Sequence, residues 1–416
     1  MKPQLGLVVF CFATFSTFVH GAWIERRQND LQPSVEEFRD FIYSRPDIHD
    51  GFNNMFWQIP NATEYENDPT GLLPQTRDIP TMLKRLNDML AGPPKYGPGY
   101  IPFPLGTILI WPMCTEAGLG TFRNAEVSSH LGNILKAWAA FLSTGESRST
   151  LNNGTYGWLK EEVLGRDFCD TYVCDPREEY WGFKSWDDFF TRPLRPGKRP
   201  IDAPNNASVV VSGADSTPLR IARNVKETDE FWVKGEPYSL RDMLNNDPRT
   251  PQFANGTVYQ AFLAALNYHR WHSPVNGTVV SVETVQGTYC ALSPSIGFNA
   301  TEHPDPPAEE FSQIFMTNVA TRSIVLIEAD NKDIGLMAFI AVGMIEISSC
   351  EPTVNVGDRV NKGDQLGMFH YGGSTHVLIF RPEVDIEFIE GMEDAIRDGT
   401  VILLGKEIAV VKPQTA

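Results

Sequence analysis

The sequence predicts an α+β protein, helical in its N-terminal part and mostly β beyond it. Three observations carry this. Apolar residues recur at helical spacing in two stretches of the first third of the chain. From Trp186 onward, short runs rich in valine and isoleucine alternate with glycine and proline. The change of character falls between Gly145 and Lys184, which places a domain boundary there.

In the first predicted helix, residues 80–90, Met82, Leu83, Leu86, Met89 and Leu90 share one face. Pro80 lies near its first turn and Gly92 stops it. Residues 125–142 repeat the pattern with Val127, Leu131, Ile134, Leu135, Trp138, Phe141 and Leu142, and Asn124 is the predicted N-cap. Both read as packing elements. Asn152-Asn153-Gly154 and residues 166–178 read as loop. Residues 186–190 read as the end of a helix, and the proline-rich residues 192–200 as extended. Beyond Asn206 the predicted strands are residues 209–211, 278–282, 324–328, 336–342 and 401–404, with a helix over 238–244. Residues 354–366 resemble the hairpin of biotinyl and lipoyl carrier domains. A carrier lysine usually sits between hydrophobic residues on an exposed tip, and nothing here reads Met-Lys-Met. Gly357-Asp358 and Lys362-Gly363-Asp364 are therefore expected as turns in a barrel-sandwich-like core.

The 416 residues are enough for a large core or two, since domains run ~100–200 residues. A net charge of −17 argues against nucleic acid and against electrostatic docking on anionic membranes. It leaves open a lipid gripped by apolar contacts. Lys2, the uncharged residues 5–19 and the small residues Gly21-Ala22 read as a signal peptide over residues 1–22. The apolar run is short for a membrane span, which needs ~20 residues. Arg26-Arg27 is a candidate second processing site. Asn61, Asn153, Asn206, Asn255, Asn276 and Asn299 each begin a glycosylation triplet, although Asn276 lies close to a histidine pair. The expected location is the secretory pathway: secreted, or in an endomembrane lumen. Cys11 leaves with the signal. Of Cys114, Cys169, Cys174, Cys290 and Cys350, the pair Cys169 and Cys174 are close enough to bond locally. The alternative is five isolated, mostly buried thiols.

In Tyr371-Gly372-Gly373-Ser374-Thr375-His376-Val377, two glycines precede a serine and an apolar run follows. Alone, this is a tight turn entering a buried strand. Tyr268-His269-Arg270-Trp271-His272-Ser273-Pro274 alone is an ordinary polar pair beside a turn, and Asp215 in Ser212-Gly213-Ala214-Asp215-Ser216 alone is a turn aspartate. No H-E-x-x-H pattern supports a metal, so none is expected. Together with residues 189–201, Phe-Phe-Thr-Arg-Pro-Leu-Arg-Pro-Gly-Lys-Arg-Pro-Ile, these motifs resemble the phosphatidylserine decarboxylase family. Residues 102–113 and 133–143 resemble the N-terminal domain of its fungal L-tryptophan decarboxylase branch.

That resemblance implies three parts: the signal at 1–22, a helical N-terminal domain at 23–165, and a catalytic domain at 180–416. The resemblance further implies that the catalytic domain cuts itself between Gly373 and Ser374, that Ser374 becomes a pyruvoyl cofactor, and that the two chains stay associated, with homo-oligomerisation left open. Matched residue by residue, His272 falls on the family's triad histidine, Asp215 on the triad aspartate and His269 on the histidine of decarboxylation. Ser216 stands where glycine is expected, and His376 where the family has an apolar residue. His376 is a candidate substrate contact or a core histidine. The implied reaction takes a free, aromatic amino acid such as tryptophan to its amine through a Schiff base. The alternative substrate is phosphatidylserine, giving phosphatidylethanolamine. Two other classes compete: an uncleaved Ser-His-Asp hydrolase using Ser374, His272 and Asp215, which lacks a G-x-S-x-G elbow, and a non-enzymatic carrier or binding module.

Overall fold

Helices dominate the described residues up to residue 190. The computed structural model describes residues 31–60, 76–96, 103–228, 238–292, 312–346 and 349–414. The signal peptide, Cys11, Arg26-Arg27, Asn61 and Asn299 lie outside the described residues. The main helices of this region are α1 (Pro33–Ser44), α2 (Pro46–Gln58), α3 (Ile79–Leu90), α4 (Pro104–Met113), α5 (Glu116–Phe122), α6 (Ala125–Leu142) and α7 (Trp186–Phe190). Helix α3 starts where Asp78 accepts a hydrogen bond from the Thr81 N–H, and it buries the five apolar residues expected of it. Helix α6 has its predicted bounds, and Asn124 caps it through the N–H groups of Glu126 and Val127. Helix α4 is buried on all sides, so it carries no amphipathic stripe to read. Helix α7 is a short helix of its own, begun by Ser185, whose hydroxyl accepts from the Asp188 N–H; it is not the end of a longer one.

The region read as loop, 166–178, holds a helical turn at Phe168–Thr171 and a disulfide between Cys169 and Cys174. Arg195 donates from Nε to the Cys169 carbonyl and from a terminal nitrogen to that of Cys174, joining the proline-rich segment to the disulfide loop. Cys114, Cys290 and Cys350 are buried free thiols.

The strands are β1 (Val209–Val211), β2 (Thr217–Val225), β3 (Gly256–Leu263), β4 (Arg270–His272), β5 (Gly277–Val285), β6 (Arg322–Ala329), β7 (Leu336–Met344), β8 (Cys350–Pro352), β9 (Arg359–Val360), β10 (Gln365–Phe369), β11 (Gly373–Phe380), β12 (Ile386–Phe388) and β13 (Glu407–Val411). Seven form one sheet in the order β2-β3-β11-β7-β6-β5-β9, and two three-stranded sheets are ordered β4-β10-β8 and β1-β13-β12. Trp271 of β4 stacks on Phe339 of β7 at 5.5 Å, so the β4 sheet packs against the large one as a sandwich. Trp271 also lies so close to Gly367 of β10 that a Cβ there would sit 2.2 Å from the ring. Among the described residues no sheet closes into a barrel.

The predicted strands at 209–211, 278–282, 324–328 and 336–342 are all present. Residues 401–404 are not a strand. Only Ile402 bridges, to Ser216, and the Leu404 N–H is taken by the Asp215 carboxylate before Gly405 turns at φ +82°. The helix expected over 238–244 shrinks to Leu240–Met243, closed by left-handed Asn245 and Asn246. The expected turns at Gly357 and Gly363 are left-handed glycines. Lys362 is buried and donates to the carbonyls of Ala203, Asn206 and Val209, so it anchors the fold and is not a carrier lysine.

Candidate active site

Strand β11 lies third in the large sheet, between β3 and β7. Its register sets Ser374 opposite Leu263 on one side and Gly343 on the other. The Ser374 side chain is fully buried and its hydroxyl has no hydrogen-bond partner. Leaving such a group unmet costs about 1–3 kcal/mol. Its neighbour Thr375 is satisfied, donating to the Ala261 carbonyl and accepting from Gln260. Gly372, two residues before Ser374, has φ +134°, a conformation that a side chain disfavours.

The segment leading to Gly373 is fixed at two points. His370 bonds Asp187 of α7 through Nδ1 at 2.9 Å and Glu351 of β8 through Nε2 at 2.8 Å. Burial alone lowers its pKa, but the bonds to Asp187 and Glu351 outweigh it and raise the value to about 9. Tyr371 is buried against Trp186 at 4.4 Å, Phe190 at 5.3 Å and Trp138 of α6 at 5.3 Å. Close by, Glu346 follows β7 and accepts from the Gly106 N–H in the first turn of α4. The N-terminal helices therefore pack directly around this segment.

His269 is fully buried and stacks on Phe190 at 4.0 Å; neither ring nitrogen makes a hydrogen bond of good geometry, although the Asn267 backbone lies close enough to favour its charged form slightly. Burial, then the nearby Arg192 guanidinium, push its pKa well below the usual histidine range. Arg192 is itself buried, donating to the carbonyls of Leu266 and Asn267 just ahead of the histidine motif. His272 binds the Gly363 carbonyl through Nδ1 at 2.8 Å. A carbonyl only accepts, so Nδ1 carries the proton and Nε2 presents its lone pair to the Tyr268 hydroxyl at 3.1 Å. Burial lowers the His272 pKa to about 4, against the opposing Gly363 bond, so the ring is a neutral base near pH 7.

Asp215 forms a buried ion pair with Arg199, at 2.6 Å to one terminal nitrogen, and also accepts from the Leu404 N–H. Its β2-edge turn is close to His272, whose backbone N–H donates to the Gly213 carbonyl. The side chains of Asp215 and His272 do not bond: one is committed to Arg199 and the other to Gly363 and Tyr268. His376 shares the Ser374 face of β11, is fully buried, and stacks on Phe339 at 5.5 Å. Its ring nitrogens have no partners, and burial lowers its pKa to about 3.

Sequence reasoning missed Tyr268, Gly363, Arg199 and His370 as partners. Tyr268 and Arg199 stand inside motifs already singled out, but nothing in a linear motif says which side chain meets which. The described residues contain no cluster of acidic, histidine and cysteine side chains able to hold a metal. A surface cleft of about 500 Å³ lined by Arg223, Glu387, Phe388 and Lys412 includes none of the candidate residues.

Comparison with known proteins adds the identity of the fold. A family model for phosphatidylserine decarboxylase matches residues 186–410, and a second decarboxylase model of that kind matches residues 32–166. The chain is 38% identical to an L-tryptophan decarboxylase of Psilocybe cubensis across 98% of its own length and 94% of the relative's. It is 44% identical to the decarboxylase iboD of Amanita muscaria across 70% of its length and 87% of the relative's. Similarity to phosphatidylserine decarboxylase proenzyme 3 of Schizosaccharomyces pombe is 30%, over 55% of this chain and 22% of that one. The chain belongs to the phosphatidylserine decarboxylase family, on its tryptophan decarboxylase-like branch, and is a decarboxylase.

Proposed function

We propose that the chain cuts itself between Gly373 and Ser374 and then decarboxylates a free aromatic amino acid. The observation that carries the reading is Ser374 itself: a buried, unpartnered hydroxyl directly after two glycines, in a member of this family. Ser374 Oγ attacks the Gly373 carbonyl carbon and the acyl group moves from nitrogen to oxygen. His272 accepts the hydroxyl proton, once its Nε2 is freed from Tyr268. Elimination of the ester leaves Gly373 with a free carboxylate. Water then releases ammonia, and a pyruvoyl group remains on residue 374. Asp215 acts at one remove, through the turn whose Gly213 carbonyl holds the His272 backbone.

Once formed, the pyruvoyl group supplies a carbonyl that takes the substrate amine and draws off electrons as carbon dioxide leaves. His269, buried and neutral, is assigned a proton relay: it would take a proton from the substrate ammonium as the amine is freed to react, and return that proton to the substrate carbon after carbon dioxide leaves. His376, two residues along β11 on the same face, is the candidate contact for the substrate side chain.

Two facts favour a free amino acid over a lipid. The likeness to L-tryptophan decarboxylase runs through the N-terminal helices, whereas that to a phosphatidylserine decarboxylase covers 55% of the chain. Those helices pack on Tyr371 and hold Glu346 beside the Gly-Ser bond, so the region shared with L-tryptophan decarboxylase lies at the candidate site itself. Purified, processed enzyme should release carbon dioxide from tryptophan or a close aromatic analogue and not from phosphatidylserine vesicles. Turnover of the vesicles alone would sink the substrate assignment and leave the family untouched. An unbroken chain that hydrolyses esters would instead favour the Ser-His-Asp hydrolase.

The Cys169–Cys174 disulfide and the exposed Asn153, Asn206 and Asn255 support passage through the secretory pathway. Asn276 is half-buried and its side-chain oxygen accepts from the Lys362 N–H, so it is expected to stay bare. Endoglycosidase treatment of protein from its native host should lower the mass at the three exposed sites. A mass equal to that of the unmodified full-length chain before treatment would remove the assignment.

A further inference from the structure

We propose that His370 is the positioning residue for self-cleavage: bonded at once to Asp187 of α7 and Glu351 of β8, it fixes the chain three residues ahead of Gly373. The inference rests on the reading of Ser374 given above. An acyl shift needs Ser374 Oγ held against the Gly373 carbonyl carbon, and small errors of placement cost large factors in rate. On one side of the bond, β11 is locked in register by β3 and β7. On the other side stand Gly373 and Gly372, the residues least able to hold a conformation on their own. Gly373 is paired with Met344 of β7, but Gly372, at φ +134°, lies outside that ladder, so the residues behind it are the second hold on its conformation. Tyr371 is anchored by apolar packing, which fixes position but tolerates sliding. His370 adds direction, because two ring nitrogens on opposite sides of a planar ring are each committed to a carboxylate.

The clamp also joins parts of the molecule distant in sequence. Asp187 follows the N-terminal helical region, 183 positions before His370, and Glu351 lies 19 positions before it on the small sheet. The His370 backbone N–H donates to the Ser349 carbonyl, so the main chain is held as well. The charged groups facing the ring are Asp187 from α7 and Glu351 from β8. Both bonds are at full strength only while the ring is protonated, since a neutral ring has a single N–H to give. Protonation persists up to about pH 9, so the clamp is closed at neutral pH and opens above that value.

The test follows cutting of freshly refolded full-length precursor by electrophoresis, with the wild type, H370Q and H370R compared across pH. Rates are normalised to folded precursor, and the thermal midpoints of both variants are measured on the uncleavable S374A chain. H370Q should cut about tenfold to a hundredfold more slowly near pH 7, as expected when two charge-assisted hydrogen bonds become neutral ones. H370R restores a cation that reaches both carboxylates and should recover most of the rate. Wild-type cutting should slow as pH rises through about 9, and the H370R profile should lack that limb. A purely structural His370 would lower the midpoint and leave the normalised rate and its pH profile unchanged, which overturns the inference. A wild-type chain that never cuts overturns the reading of Ser374 and this inference with it. A wild type that cuts beside an equally fast H370Q overturns the inference alone.

Discussion

Ser374→Ala leaves the chain whole and inactive, and does so without loss of stability. The alanine lacks the only atom that can attack the Gly373 carbonyl. Because the serine hydroxyl is buried and unpartnered, its removal strands no donor or acceptor elsewhere. Folding should be unaffected or improved, by about 3 kcal/mol at most. His272→Ala should also stay uncut, but for a different reason and with a stability cost, since it strands the Gly363 carbonyl and the Tyr268 hydroxyl. In the wild type, cutting yields a C-terminal chain of 43 residues, 374 to 416, blocked to Edman sequencing and reactive toward amines with a reductant. Because the folded His272 pKa is lowered to about 4 from 6.5, the base stays neutral at pH 5 and cutting should persist there. The same shift sets a stability trend. An unfolded histidine takes up its proton near pH 6.5 and the folded one does not, so stability falls as pH drops from 6.5 toward 4. Gel electrophoresis and intact mass settle the first point; active protein that is a single unbroken chain would refute it.

The fold was most legible where burial is one-sided. Helices α3 and α6 announce themselves because each buries one stripe and caps it with Asp78 or Asn124. Helix α4 does not, because it is apolar all round and offers no stripe to read. The strand expected at 401–404 failed for a reason no period can reveal: a side chain 189 positions away, Asp215, takes the backbone N–H that a ladder would need. The site divides along the same line. Ser374, His269, His272 and Asp215 stand in motifs whose co-occurrence marks them. Their partners are long-range choices. Arg199 claims Asp215 across 16 positions, Gly363 claims His272 across 91, and Asp187 claims His370 across 183. A linear motif supplies the residue types of a site and leaves open which of them meet. That is why a Ser-His-Asp chain was the natural expectation, and why the structure instead has His272 oriented by a carbonyl.

His269→Ala should separate maturation from turnover. His269 stands three positions before His272, yet it enters the fold differently: neither ring nitrogen makes a hydrogen bond of good geometry, whereas His272 has one on each. A fully buried, neutral imidazole without a well-formed hydrogen bond is costly to keep and calls for an explanation, and a role in proton transfer to a bound substrate supplies one. The variant should therefore still give two chains and a pyruvoyl group, because neither Ser374 nor His272 has been touched. Its decarboxylation should fall ~10²–10⁴-fold, the usual worth of general acid–base catalysis. The competing account is that His269 serves only to fill the face of Phe190, against which it stacks at 4.0 Å. His269→Phe tests this, since it keeps an aromatic ring on Phe190 and removes both nitrogens. If packing is the whole role, the phenylalanine variant should decarboxylate as fast as the wild type. If the nitrogens move the proton, it should be as slow as the alanine variant while melting at or above the wild-type temperature, because two unmet polar atoms have left the core. Single-turnover rates normalised to pyruvoyl content decide between them, and a normal rate in either variant would take His269 out of the chemistry.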